Sequence, residues 1–266
     1  VSAPPGGNTP AGIIYSHNFE DGLFPTQGPV QQGGLTSNIT VSTVEPIDGL
    51  RSLNFRFVAQ PPGTDSWVEH NMALPKCYGG FGMEWDMRFP SNYALRGPGS
   101  TTTKWFQFWQ QTEANAALNP RVRTDYGEIM ATGASIYLDT ATNKIMLMAV
   151  VTRSNCLVCN DAYVPLIDLT NPANGPIKLG QNHNIKWRVK YASSTSATDG
   201  VYELLVDNVS VYTNTALNLY PYDNRGSTPP FISWGYLMGY ANGGFGVETN
   251  VKWDNLKMFA TPIRWW

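Results

Sequence analysis

TKWFQFWQQ, Thr103 to Gln111, alternates with a period of two. Phe106 and Phe108 fall on one side of such a strand, and Trp105, Gln107, Trp109 and Gln111 fall on the other. A strand in a two-layer protein hides one side and wets the other. The side expected to be wet therefore carries two tryptophans and two amides. Sugar rings explain such a face, because their apolar C–H surfaces stack on indoles while amides bond the hydroxyls. The competing reading swaps the faces or covers both, and places Trp105 and Trp109 in the core.

Outward from this stretch the same period recurs in SLNFRFVAQ, SWVEHNMAL, FGMEWDMRF, ASIYLDT, KIMLMAVVT, NIKWRVKYA, VYELLVDN and NVKWDNLKMFA. Clusters of Gly, Pro, Asn and Ser such as RGPGSTTT, LTNPANGP and SSTSATDG separate them. Helical periods are nearly absent, so the expected fold is all-β, an antiparallel two-sheet β-sandwich. No fixed repeat or linker divides residues 1–266, which read as one domain with a flexible segment over 1–12. The two ends alternate as well, with Phe19, Trp253, Leu256 and Met258 as expected core positions. First and last strands that pair would close an exposed edge.

Charged residues make up 14% of the chain against roughly 25% in a typical soluble protein. Net charge is −2, which argues against a nucleic-acid partner held by a basic surface. No apolar run approaches the length of a membrane span. The opening VSAPPGGNTPAG reads as an N-terminus left after processing, and secretion is the expected destination. Cys156 and Cys159 in CLVC sit in turn-like sequence and read as a local disulfide or two inert thiols, with Cys77 alone. His17, His70 and His183 show no zinc spacing. Asn38 and Asn208 match the glycan-acceptor pattern.

NFEDG, DGLRSLNFRF and WDNLKMF resemble the start, second strand and last strand of concanavalin A-like jelly rolls. MRFPSNYAL followed by RGPGSTTTK and an aromatic strand resembles the core of jelly-roll polysaccharide lyases of the alginate and glucuronan type. HNIKWRVKYASSTSATDGVYELLVDNVSVY and GYLMGYANGGFGVETNVKWDNLKMF extend the likeness from about residue 17 to 259. The resemblance implies a structural calcium ion held by Glu20 and Asp254 side chains and by the carbonyls of Asn18, Asp48 and Arg51. Calcium favours six to eight hard oxygens, which suits that set.

The resemblance also implies a glycan groove on a concave outer face. Parity assigns Trp67, Glu69, Asn71, Glu84, Asp86, Arg88, Trp105, Gln107, Trp109 and Gln111 to it. Lyases that cut uronate chains neutralise the carboxylate, remove the C5 proton and protonate the leaving oxygen. Glu69, Arg88, Lys104 and Gln107 match lyase-like strands and form the expected catalytic set. Lys104 shares the parity of Phe106 and Phe108, but follows a Gly/Pro loop from which it can swing over the groove. Tyr126, Tyr137 and Tyr191 are candidate bases among which the sequence does not choose, and His70 falls on the apolar parity. Glu84 and Asp86 resemble half of a glucanase pair, but the retaining partner's place holds Arg88, so hydrolysis is not expected. The expected function is a lyase acting on an acidic glycan; the alternative is a glycan-binding or structural jelly-roll protein without catalysis.

Overall fold

The computed structural model describes residues 12–23, 36–96, 102–111, 129–153, 156–171, 173–194, 196–219 and 231–259. Its strands are β1 (Ile13–His17), β2 (Ile39–Ser42), β3 (Ser52–Phe57), β4 (Ser66–Trp67), β5 (His70–Tyr78), β6 (Gly80–Arg88), β7 (Thr102–Gln111) and β8 (Ile129–Asp139). They continue with β9 (Lys144–Arg153), β10 (Cys156–Asp168), β11 (His183–Lys190), β12 (Gly200–Val206), β13 (Val209–Leu217), β14 (Phe231–Leu237), β15 (Tyr240–Ala241) and β16 (Thr249–Phe259). One 3-10 turn, Thr36–Asn38, is the helical element among the described residues.

The strands form two eight-stranded antiparallel sheets. The first runs β13-β12-β11-β6-β16-β3-β2, with β1 also on β16. The second runs β10-β9-β8-β7-β14-β5, with β15 joining β4 to β7. β1 pairs the end of β16, His17 opposite Leu256, so the two ends of the sequence meet as expected. Phe19, Trp253, Leu256 and Met258 are all buried. The β12–β13 hairpin turns through Asp207 and Asn208 at φ 52° and 64°, the pair of positive angles that a two-residue primed turn requires.

β6 shows the alternation most plainly: Met83, Trp85 and Met87 are buried while Glu84, Asp86 and Arg88 point outward. β7 departs from it. Lys104 pairs Ser135 and Phe106 pairs Ala134, leaving Trp105 as the extra residue of a β-bulge. The bulge turns Trp105 and Phe106 to the same side. Trp105 is fully buried, 5.9 Å from Trp85 and 5.5 Å from Phe106 between ring centroids. Its expected place on the wet face is therefore wrong, because strict alternation does not survive an inserted residue. Cys156 and Cys159 lie on β10 rather than in a turn, and the side chains of Cys77, Cys156 and Cys159 lie outside the described residues.

Trp105→Ala is expected to lower stability by about 3–5 kcal/mol, the range for emptying a buried aromatic site. Trp67→Ala, at an exposed position, should stay within about 0.5 kcal/mol. Urea denaturation measures both, and a Trp105→Ala midpoint equal to that of the parent protein would contradict the core placement.

Candidate functional site

The bulge at Trp105 decides which side chains share the outer face of the second sheet. Beyond it, Gln107 and Trp109 point outward, and before it so does Lys104. Cross-strand pairing sets Asn71 of β5 opposite Tyr236 of β14, and Tyr236 opposite Gln107 of β7. Directly paired residues point to the same face, so these three form one row. Gly133 of β8 ends the row beside Gln107. A Cβ there would lie 3.0 Å from Gln107 Cγ and closer still to the β7 backbone, so glycine makes room for the amide.

Hydrogen bonds fix the row. The Tyr236 hydroxyl donates to Gln107 Oε1 at 2.6 Å, and Gln107 Nε2 donates to Ser135 Oγ at 3.2 Å. Gln107 and Tyr236 are both 5% exposed, so their polar ends are held in one arrangement. Trp109 packs on the Tyr236 ring with centroids 4.9 Å apart. The side-chain oxygen of Asn71 is buried and accepts no hydrogen bond. An unmet buried acceptor is costly, and it marks a place where an incoming donor gains.

Lys104 enters from the end of the row. Met238 N donates to the Trp105 carbonyl and Gly239 N to the Lys104 carbonyl, both at 2.8 Å, so the chain after β14 is tied across the bulge. Gly239 lies between Lys104 and Tyr236: a Cβ there would be 2.6 Å from Lys104 Cβ and 2.8 Å from Tyr236 Cε2. The Lys104 ammonium lies 5.3 Å from the centroid of the Tyr240 ring. Burial lowers the Lys104 pKa from the usual lysine range, and the Asp65 carboxylate opposes the shift. Tyr240 in turn stands edge-on to Trp67 at 6.2 Å, and Trp67 Nε1 donates to Glu69 Oε2 at 3.1 Å. Trp67 is 46% exposed, a large ring offered to solvent beside the lysine.

Of the residues expected at the site, the structure brings Lys104, Gln107, Asn71, Trp109, Trp67 and Glu69 to this face. It does not bring Arg88, Glu84 and Asp86. They project from β6 on the outer face of the first sheet, with the whole core between them and Gln107. Parity alone sorts inward from outward and cannot say which sheet a strand joins. There Asn184 donates to Asp86 Oδ1 at 2.8 Å and Asn255 to Asp86 Oδ2 at 2.8 Å, and Lys186 lies 3.8 Å from Glu84. The Gln111 side chain and Tyr126 lie outside the described residues. Tyr137 lies on β8 against Tyr163, and Tyr191 is buried. His70 is buried on the core face, paired with Leu237.

Glu20 and Asp254 meet where β16 passes β1 and the 48–51 turn. Glu20 Oε1 accepts from Leu50 N and Arg51 N, both at 3.1 Å. Asp254 Oδ2 accepts from Ser52 Oγ at 2.8 Å and Asp48 N at 3.3 Å. Burial pushes the Asp254 carboxyl up to about 6, and the charge on Glu20 adds to the rise. Two hard carboxylates side by side fit the donor chemistry of calcium, although among the described residues no three acidic, His or Cys side chains gather. Main-chain oxygens would have to complete the shell. The Asn18 side chain is turned to Glu20 N at 3.4 Å.

No family model matches the chain, and no curated protein matches it. Solved structures match over nearly its whole length. A mutant of the alginate lyase Aly36B in complex with alginate trisaccharide superposes with a TM-score of 0.60 at 14% identity, covering 95% of this chain and 99% of the other. The fold is a concanavalin A-like jelly roll. An endo-β-1,4-glucuronan lyase from the fungus Trichoderma reesei gives a TM-score of 0.59 at 13% identity, over 94% of this chain and 96% of its own. The alginate lyase vAL-1 from a Chlorella virus gives 0.59 at 10% identity, over 93% and 99%. At these identities the likeness concerns the fold and leaves the chemistry to the residues.

Tyr236 and Tyr240 are site residues that sequence reasoning passed over. At the end of FISWGYL, Tyr236 takes the parity opposite to the apolar Leu237, which was a usable signal. Tyr240 carried none, because Met238 adopts a left-handed φ of 44° and breaks the period before it. Gly239→Ala is expected to cost about 1–3 kcal/mol by overpacking. Its crystal structure should show Lys104 and Tyr236 displaced from each other, and an undisturbed pair would contradict the packing described.

Proposed function

We propose that this protein binds an acidic polysaccharide on the outer face of the second sheet and cleaves it by β-elimination. The observation that carries the reading is the placement of Lys104 and Tyr236 on either side of Gly239, with Gln107 hydrogen-bonded to Tyr236. Elimination needs a base for the C5 proton, an acid for the leaving oxygen and donors that steady the uronate carboxylate. Lys104, with its pKa lowered by burial, supplies the base in its neutral form. Tyr236 supplies the acid. Gln107 Nε2 and Asn71 Nδ2, beside it in the row, donate to the carboxylate, and the unmet Asn71 oxygen accepts from a sugar hydroxyl.

In the step itself the C5–H bond breaks and its proton passes to Lys104 Nζ. The electron pair forms the C4=C5 double bond as the C4–O bond breaks. The Tyr236 hydroxyl gives its proton to the departing oxygen and is reprotonated from Lys104 through solvent. Trp67, Trp109 and Tyr240 offer rings on which neighbouring sugars stack. Arg88 takes no part, being on the other sheet. A polymer substrate and a chain with few charges support secretion, and among the described residues no helix is long and apolar enough to cross a membrane.

Binding without cleavage is the second reading. It is favoured by the exposed Trp67 beside Tyr240 and by the engagement of the Tyr236 hydroxyl with Gln107.

Lys104→Ala and Tyr236→Phe should each lower kcat by about 10²–10⁴-fold, as expected for loss of one acid or base. Tm should stay almost unchanged in Lys104→Ala and fall in Tyr236→Phe, which leaves the buried Gln107 oxygen without its donor. Ultraviolet absorbance of the unsaturated product gives the rates. The rate should rise with pH through a midpoint below 10.5, the ordinary lysine value, because burial favours the neutral amine. Activity retained by Lys104→Ala would remove it from the chemistry.

The Glu20–Asp254 pair is the proposed place for a structural calcium ion, remote from this reaction. The folded state binds the Asp254 proton more tightly than the unfolded state, about 6 against an ordinary 3.8. Its contribution to stability is therefore present at acid pH and is lost as pH rises through about 6. A bound cation would offset that loss. Millimolar calcium should raise Tm at neutral pH, much less at acid pH, and not in Glu20→Gln. An unchanged Tm at neutral pH would remove calcium from the account.

A further inference from the structure

On the outer face of the first sheet, opposite the candidate active site, lies a cleft of about 650 Å³ lined by Glu45, Asn54, Arg88, Asn92, Asn250 and Lys252 among others. The strand register builds it. Lys252 of β16 pairs Asn54 of β3 on one side and Arg88 of β6 on the other, so the three side chains stand in one row on adjacent strands. Like charges directly opposite each other on neighbouring strands are destabilising. Arg88 and Lys252 occupy that arrangement, and Lys252 is only 7% exposed.

The neighbours neutralise the pair only in part. Arg88 Nη2 donates to the Glu45 carbonyl, and Lys252 Nζ donates to the same oxygen at 2.8 Å. Both cations thus share one uncharged acceptor. Glu45 holds it in place with a left-handed φ of 46°, an unfavourable conformation for this residue type. The Glu45 carboxylate is 79% exposed and 4.0 Å from Arg88. Glu248 is committed elsewhere, to Arg56 at 2.8 Å and to Asn250 at 3.2 Å. Burial, and after it the Arg88 charge, lowers the Lys252 pKa, and the Glu45 carboxylate opposes the shift.

Asn54 adds an independent sign. It is 8% exposed and its Nδ2 donates to Asn250 Oδ1 at 2.9 Å, but its own Oδ1 is buried and unpartnered. A buried amide acceptor next to an Arg–Lys pair that only the exposed Glu45 carboxylate offsets asks for a ligand that is both an anion and a donor. A carboxylated sugar is such a molecule, its carboxylate facing the cations and its hydroxyls facing the amides.

We propose that this cleft is a second glycan-binding site, taking a uronate unit between Arg88, Lys252 and Asn54. It would hold an acidic chain to the protein on the face away from Lys104. The choice of a sugar acid over another carboxylate rests on the acidic-glycan reading of the opposite face.

Calorimetry of the full chain carrying Lys104→Ala, which keeps the glycan uncut, tests this with alginate and glucuronan tetrasaccharides as probes. Two sites per chain are expected for one of them. Adding Arg88→Ala should weaken one site about tenfold or more and leave the other, because a charge-assisted hydrogen bond is lost. Lys252→Met should do the same, and thermal melts confirm that each variant is folded. Adding Trp109→Ala instead should weaken only the other site. If Arg88→Ala abolishes binding and Trp109→Ala changes nothing, the cleft stands and the reading of the opposite face fails. If neither Arg88→Ala nor Lys252→Met alters binding in a folded protein, the proposal is overturned. Complete displacement from the cleft by sulfate at equal charge would show that it reads only an anion and would overturn the sugar assignment.

Discussion

The inner side of β7 locks onto the tryptophans of the opposing sheet. Phe108 stacks on Trp187 at 5.4 Å and 11°, Phe106 lies 4.9 Å from Trp187, and Trp105 meets Trp85, which is itself stacked on Trp253 at 4.7 Å. Each such ring removes a large apolar area from water, about 1.5–3 kcal/mol for a side chain the size of Phe. Trp105, Phe106 and Phe108 cannot all face inward on a regular strand, because Trp105 and Phe106 are adjacent. The bulge at Trp105 admits two of them side by side, and its cost in ladder hydrogen bonds is offset by the burial it permits. Once β7 is fixed in this register, Lys104 and Gln107 point outward from either side of the bulge. The carbonyls of residues 104 and 105 then tie down the chain after β14 that carries Tyr240.

Chemistry on the outer face follows from that constraint. A lysine on a flexible stem becomes a usable base only if something holds its amine near the reacting carbon and away from bulk water. Here Gly239 lets its stem lie beside Tyr236, and the ring of Tyr240 receives its ammonium. The opposite face of the sandwich uses the same device, a row of directly paired side chains. Its groups are two cations and an amide, which suit holding an anion rather than moving a proton.

The fold was legible in the sequence because it is written in period-two alternation, and β6 keeps it without interruption from Met83 to Met87. Closure of the two ends was legible for the same reason. The site was legible only in part. Gln107 and Trp109 follow strict parity and lie on the side opposite Phe108, but Gln107 is buried there rather than wet. Trp105 was misplaced and Lys104 was given the inward parity because a single inserted residue inverts the assignment on one side of it. Arg88, Glu84 and Asp86 were read as outward, which they are, but on the other sheet. Sheet membership is a long-range property, set by which strands pair, and local periodicity carries none of it. Tyr240 depends on a left-handed Met238 whose angle no local pattern announces.

The most direct test of the account is the end-product mass spectrum after incubation with alginate, glucuronan, pectate and a neutral glucan. Elimination adds no water, so cleavage of one acidic polymer should give oligosaccharides with an unsaturated sugar at the non-reducing end, and the neutral glucan should remain whole. Saturated products with water added, or acidic chains bound at the Lys104 face but left intact, would contradict it.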